Sequence, residues 1–326
     1  MRTRFTEGFG IRYPIVCAPM ASTTGGRLAA AVSGAGGLGI VGGGYAGTHG
    51  GEPDLEQELA HARGQRFGVG FITWALARVP HVLDDALSHG PCCVFLSFGD
   101  PRPFAKRVRH AGAKLLCQVQ CLRHVDQALE AGADAIVAQG TEAGGHGATR
   151  STLPFVPEVA DYLARRAPAT LLLAAGGIAD GRGLAAALML GADAVVVGTR
   201  FWASAEALTP KAATDRAVLA TGDDTVRTKA IDAVRGVPWP EEFSFRVLRN
   251  TLAQEWAHRE AEAARMFGSR ATEYAAARAR EDVDEVAIIA GECVGLIRDR
   301  PSAAAILESM MKEARSCLQR GVRVLD

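Results

Sequence analysis

The chain has 326 residues, 48% hydrophobic and 22% charged, which is enough for one large domain or two ordinary ones with an ample core. Lys plus Arg and Asp plus Glu both number 36, so the formal net charge is zero, and this argues against bulk attraction to nucleic acid or an anionic membrane. The opening MRTRFTEGFGIRYPIV lacks a signal-type apolar run, and no uninterrupted apolar stretch reaches the length of about 18 residues that a span needs. The cysteines (Cys17, Cys92, Cys93, Cys117, Cys121, Cys293 and Cys317) are scattered without zinc-ligand spacing. A cytoplasmic protein with reduced thiols and no bound metal is expected.

Short apolar runs alternate with helical segments along the first two thirds of the chain. Residues 14–20 (PIVCAPM) predict a first strand, 25–33 a helix, 38–44 a second strand and 52–63 a helix. Strands at 67–72, 92–98, 114–120 and 133–139 follow, separated by helices at 79–88, 103–111 and 122–131. Helix 156–164, strand 170–175, helix 184–190 and strand 192–198 complete the series. Strands that are apolar on both faces and alternate with helices predict parallel βαβ units. Eight such units predict a (β/α)8 TIM barrel. A doubly wound sheet is the runner-up, but it carries a glycine fingerprint after its first strand, which PIVCAPMAST lacks.

In a barrel the unusual residues should collect at the C-terminal strand ends. Met20, Gly42–Gly44, Trp74, Gly99–Asp100, Gln118 and Gln120 fall there, as do Gly176–Gly177 and Gly198–Thr199–Arg200. The stretch VAQGTEAGGHGATR at 137–150 runs from the sixth strand into a loop of four glycines and one histidine, His146. An isolated histidine in a glycine loop is most simply a solvated surface residue, but its place on the rim makes it a candidate for catalysis. Only small residues flank it, so nothing adjacent in sequence shields it from a substrate. An ordinary imidazole pKa of ~6.5 is expected there. Glu142, four residues earlier, is expected to orient the loop. The turns AAGGIADGRG (174–183) and VVGTRF (196–201) are suited to holding a phosphate group on backbone N–H groups.

Beyond Phe201 the pattern changes. Residues 209–250 are mixed, 251–280 are helical with charges of both signs, and 287–298 and 302–319 predict two closing helices. The expected organisation is a barrel from 1–208 and 286–326, with a smaller, mostly helical insertion at 209–285 serving as a lid. Trp239, Phe243, Phe245, Leu248 and Trp256 in that insertion need a surface to bury against.

The motifs PIVCAPM, AQGTEAGGHG, AAGGIADGRG and LGADAVVVGTRF, with the tail AIIAGECVGLIRDRPSAAAIL, resemble the nitronate monooxygenase family over nearly the full chain. The resemblance implies an FMN-dependent (β/α)8 enzyme that oxidises alkyl nitronates with dioxygen to a carbonyl compound and nitrite. It places His146 at the catalytic histidine, Gln139 and Gly144 at flavin contacts, Gly177, Gly198 and Thr199 at the phosphate, and Ala18–Met20 beside the flavin ring. With neighbours on the same turns, the expected cofactor set is Ala18, Pro19, Met20, Gly70, Gln118, Gln139, Gly144, Gly145, Gly176, Gly177, Val197, Gly198 and Thr199. Three positions depart from the family pattern: Gly70 in place of Asn, Val196 in place of Gln, and Gly147–Ala148 in place of Arg-Gly. Each removes a polar side chain from the cleft and leaves the substrate open. The implied partners are a small nitronate or nitroalkane and dioxygen, with no nucleic acid or membrane and the homo-oligomeric state left open. The rival readings are an FMN-dependent NAD(P)H enoyl-acyl-carrier-protein reductase and a non-catalytic barrel that binds a phosphorylated ligand.

Overall fold

The computed structural model describes residues 1–49 and 52–323. Its eleven strands, in chain order, are β1 (Ile15–Cys17), β2 (Leu38–Gly44), β3 (Phe67–Ile72), β4 (Cys93–Ser97), β5 (Lys114–Val119), β6 (Ala135–Gln139), β7 (Gly145–Gly147), β8 (Leu171–Ala175), β9 (Ala194–Val197), β10 (Thr225–Thr228) and β11 (Ser244–Leu248). β1 to β6, β8 and β9 form a closed parallel barrel with helices between the strands, as the alternation predicts. Closure is by β1 on β9, with Val16 opposite Val196 and Cys17 opposite Val197.

Alternation along each strand separates two apolar layers. Val16, Ile40, Phe95, Leu116, Val137, Leu173 and Val196 point inward, while Ile15, Val41, Val94, Ile136, Leu172 and Val197 pack against the helices. A helix that the sequence reading did not contain, Arg4–Phe9, sends Phe5 and Phe9 into the barrel interior. It is capped by Thr3 and Thr6, which satisfy each other's backbone N–H groups.

Some predicted helices differ in the structure. The helix expected at 52–63 begins at Leu55, because the Asp54 carboxylate accepts the N–H groups of Glu56 and Gln57. The segment 287–298 is not an α-helix and holds only a 3₁₀ turn, Glu292–Leu296. Its polar backbone groups are used by other segments: Ile288 O accepts from Leu248 N, Gly291 N donates to Thr199 Oγ1, and Glu292 N donates to Glu142 O. Helix Ala303–Arg323 lies along Gly181–Met189 and covers the barrel's outer layer.

Helices predominate between 209 and 285, but β10 and β11 are antiparallel and β11 pairs with β7, giving a three-stranded sheet. The helical stretch expected at 251–280 is three short helices, Thr251–Trp256, Glu260–Arg265 and Ala271–Ala279. Phe245 and Trp256 join Ile231, Val234 and Leu252 in a core of their own, whereas Leu248 packs with Trp202, Ile288 and Ile297.

Candidate active site

The C-terminal strand ends open into a cavity of about 630 Å³. Every residue of the expected cofactor set except Val197 lines it. Val197 is the correction: inward positions alternate, so Val196 faces the cavity while Val197 is fully buried among the helices outside the barrel. The polar wall is a relay of amides. Gln118 and Gln120 both donate to Gln139 Oε1 (3.1 and 2.9 Å), and Gln139 Nε2 donates to the carbonyl of His146 (3.2 Å). The departure at Gly70 is structural, since a Cβ there would sit 2.4 Å from the Pro19 Cβ and no side chain fits unless Pro19 moves.

After β8 and β9 come the two glycine turns. Gly176 and Gly177 have φ of 101° and 73°, a left-handed backbone that favours glycine. Among the described residues, no acceptor takes the N–H groups of Gly177, Ile178 or Thr199, and all three residues line the cavity. Unpaired amides converging on a concave wall fit an anionic phosphate. Arg200 does not join them. Its guanidinium turns away to Asp299 (3.0 Å) and the carbonyl of Ala203, leaving the phosphate side to the backbone.

The loop carrying His146 is held from behind. Arg227 donates to the carbonyls of Thr141, Ala143 and Gly147 (2.9, 3.0 and 3.3 Å). Burial pushes its pKa down to about 10, so it remains charged near neutral pH. The Glu142 carboxylate accepts from Thr152 N and Oγ1, which fits the expected loop-orienting part.

His146 is not shielded by its sequence neighbours, as expected, but distant segments enclose it and leave it only 9% exposed. In register with Phe245 across β7 and β11, its ring stacks on that phenyl at 4.3 Å, and Trp239 covers the other face at 3.4 Å. Only the ring edge remains open. Nε2 lies 2.8 Å from Asp232 Oδ2, a residue 86 positions away. Among the described residues, Nδ1 has no hydrogen-bond partner. Burial lowers the His146 pKa, against the pull of Asp232, so the expected ordinary value is corrected downward. Burial opposes the Asp232 charge too, but His146 and Arg235 together hold its pKa below the usual carboxylate value. An ionised Asp232 fixes the proton on Nε2 and leaves the Nδ1 lone pair free.

The sequence reading missed Asp232, Arg235 and Tyr45, and placed Trp239 only among residues in need of burial. Asp232 and Arg235 stand three residues apart around the helix Ala230–Val234, and Arg235 Nη2 to Asp232 Oδ1 is 2.6 Å. The motif IDAVRG, an acid and a base within an apolar run, was the one available signal.

A closed parallel barrel whose rim joins two turns of unpaired amides to a carboxylate-buttressed histidine has the architecture of a barrel enzyme. The sequence profile described as nitronate monooxygenase matches residues 2–65 and 57–313. A nitronate monooxygenase of Neurospora crassa is 34% identical, over 94% of this chain and 90% of that one. FabK from Thermotoga maritima is similar over the whole of both chains, with 31% identity and a TM-score of 0.84. The nitroalkane oxidase of Streptomyces ansochromogenes is 27% identical with a TM-score of 0.78, over 95% of this chain and 98% of that one. The chain belongs to the nitronate monooxygenase family and is a flavin-dependent oxidoreductase that oxidises nitronates. Among the described residues, no helix is long and apolar enough to cross a membrane.

Proposed function

We propose that the flavin is FMN and that His146 is the base which delivers the nitronate from a neutral nitroalkane. The unpaired amides of Gly177, Ile178 and Thr199 would hold the phosphate, with Ala18–Met20 beside the ring. When bound, the flavin supplies the electron transfer and oxygen chemistry. FAD, or no flavin, in the heat-released cofactor would overturn this part.

One observation carries the role of His146: a free Nδ1 at the cavity, with Nε2 tied to Asp232 at 2.8 Å. Because aromatic rings cover both imidazole faces, substrate meets the base in the ring plane, with its Cα–H directed at Nδ1. A neutral imidazole takes the proton, and the resulting imidazolium is stabilised by Asp232. Segment 209–285 acts as the lid, because it supplies Arg235, Trp239 and Phe245 to the cavity and Asp232 to the Nε2 edge of His146 behind it.

The decisive experiment is nitrite release by the purified flavoprotein from neutral nitroalkanes and from pre-formed nitronates, beside anaerobic reduction by NADH and NADPH. Nitrite from both substrates, without rapid reduction by either nucleotide, upholds the reading. Rapid reduction by a nicotinamide with no nitrite formed would replace it with the enoyl reductase reading.

A further inference from the structure

The base accounts for only half of the charge separation that such a deprotonation creates. When His146 removes a proton from a nitroalkane, the Cα–H bond breaks and its electron pair forms the C=N bond. The N=O pair moves onto oxygen and the proton goes to Nδ1. A neutral pair becomes an imidazolium and a nitronate inside a buried site, and the negative oxygen needs a partner as much as the imidazolium needs Asp232.

Two groups at the aromatic end of the cavity have donors to spare. Arg235 spends Nε and Nη2 on Asp232 Oδ1 (3.1 and 2.6 Å), and Nη2 also reaches the Tyr45 hydroxyl (3.2 Å). Among the described residues, Nη1 has no partner. The guanidinium is stacked over Phe245, 5.1 Å from the ring centroid, with a side chain only 13% exposed. The Tyr45 oxygen accepts from Arg235 and from Trp239 Nε1 (3.0 Å), yet its own proton has no acceptor among the described residues. Burial raises the phenol pKa, so that proton stays in place. Both side chains line the cavity, and Asp232 links Arg235 to His146.

We infer that Arg235 Nη1 and the Tyr45 hydroxyl form an anion pocket for the nitro oxygens, so that Asp232 faces the imidazolium while Arg235 faces the nitronate. This rests on the reading of His146 as base. The charge balance supports it. Asp232 and Arg235 cancel, so the group of His146, Asp232 and Arg235 is neutral with neutral His146, and the group together with its substrate is neutral again after proton transfer. The substrate class this favours is a nitroalkane that enters uncharged and becomes anionic in place.

The test uses the purified flavoprotein and sodium nitrate, a planar anion with the geometry of the nitro head, titrated by calorimetry. Wild type should bind nitrate, and Arg235→Met, which keeps most of the stem but loses the charge, should weaken binding by roughly 10- to 10²-fold, the scale of a charge-assisted hydrogen bond. The same variant should lose a similar factor in kcat/KM on neutral nitroalkanes, with partial recovery on adding free guanidinium to Arg235→Ala. Tyr45→Phe should show the smaller loss in both measurements. If Arg235 only props up Asp232, nitrate affinity will not change in Arg235→Met, and that result overturns the inference. Should the Met variant fail to fold, Arg235→Lys keeps a charge beside Asp232 but loses the fork. Several-fold weaker nitrate binding in that variant supports the pocket, and unchanged binding overturns it. Arginine-dependent nitrate binding without nitrite formation from any nitro substrate would leave the pocket standing and refute the nitroalkane reading.

Discussion

The two walls of the cavity are made by different means. On the β8 and β9 side the donors are backbone amides of Gly177, Ile178 and Thr199, set by the turns themselves. On the other wall the groups are side chains, His146, Arg235, Tyr45 and Trp239, with Asp232 behind them, each held by the others. A backbone wall tolerates most side-chain changes and fails only where the turn geometry does. A side-chain wall fails wherever one member is removed, because the survivors are buried and lose a partner. Cofactor binding and turnover should therefore separate cleanly by mutation.

The largest expected effect is on the side-chain wall. His146→Asn should lower kcat on neutral nitroalkanes by roughly 10²–10⁴-fold, the usual contribution of a positioned base. Pre-formed nitronates should suffer less, and the flavin spectrum should be unchanged. Loss of flavin in this variant would show that the two walls are not independent. The sign of the pH dependence follows from burial, which lowers the His146 pKa against Asp232, with Arg235 and Arg227 acting in the same direction as burial. Neutral imidazole is the active form, so turnover of nitroalkanes should persist as pH drops below ~6.5 and fall only at more acidic values. A profile still rising above that value would contradict the assignment.

Asp232→Asn should come next. It leaves the Arg235 charge buried beside a neutral amide, and breaking such a pair typically costs about 3–5 kcal/mol. The amide can also present N–H to Nε2 and displace the proton to Nδ1, which removes the base. Thermal unfolding and nitroalkane turnover should both suffer, with flavin content per folded molecule retained. Unchanged stability would mean that the pair is not closed in solution.

The same contrast explains what the sequence disclosed. The barrel and the backbone wall were legible because their causes are local: apolar runs with glycine at the turns sit within a few residues of one another. Val197 was misplaced by a single residue, which in a strand reverses the face. The side-chain wall was not legible, since Asp232 lies 86 positions from His146 and Arg235 lies 190 from Tyr45. β7 has no strand signature, as three residues reading GHG become a strand only because β11 pairs with them. The helix expected at 287–298 failed for a related reason, its backbone groups being taken by Leu248, Thr199 and Glu142.

Gly177→Ala tests the backbone wall. A Cβ at φ 73° is strained and would lie 3.2 Å from the Glu142 Cβ. The left-handed backbone costs a non-glycine residue about 1–2 kcal/mol. Flavin affinity should fall by roughly tenfold, read by dialysis and reconstitution, while kcat per bound flavin stays near wild type. A selective loss of kcat with flavin fully bound would contradict the division between the walls.

The smallest and most discriminating effect belongs to Trp239→Phe. The indole covers one face of His146 at 3.4 Å and donates from Nε1 to Tyr45 at 3.0 Å. Phenylalanine keeps an aromatic face but removes that donor and part of the overlap, so it loosens the ring without unpairing Nε2 from Asp232. Aromatic contacts of this kind contribute about 0.5–1.5 kcal/mol, which converts to a decrease of roughly 2- to 12-fold in kcat/KM on nitroalkanes. The pH at which turnover falls should rise modestly, because a less enclosed imidazole is more easily protonated. Flavin affinity should not move, since none of the Gly177, Ile178 or Thr199 amides depends on the indole. A variant with wild-type kcat/KM and an unshifted acid limb would show that the stacking is incidental, leaving Asp232 alone to set the base. A variant that lost flavin would tie the indole to the backbone wall and undo the separation on which the other expectations rest.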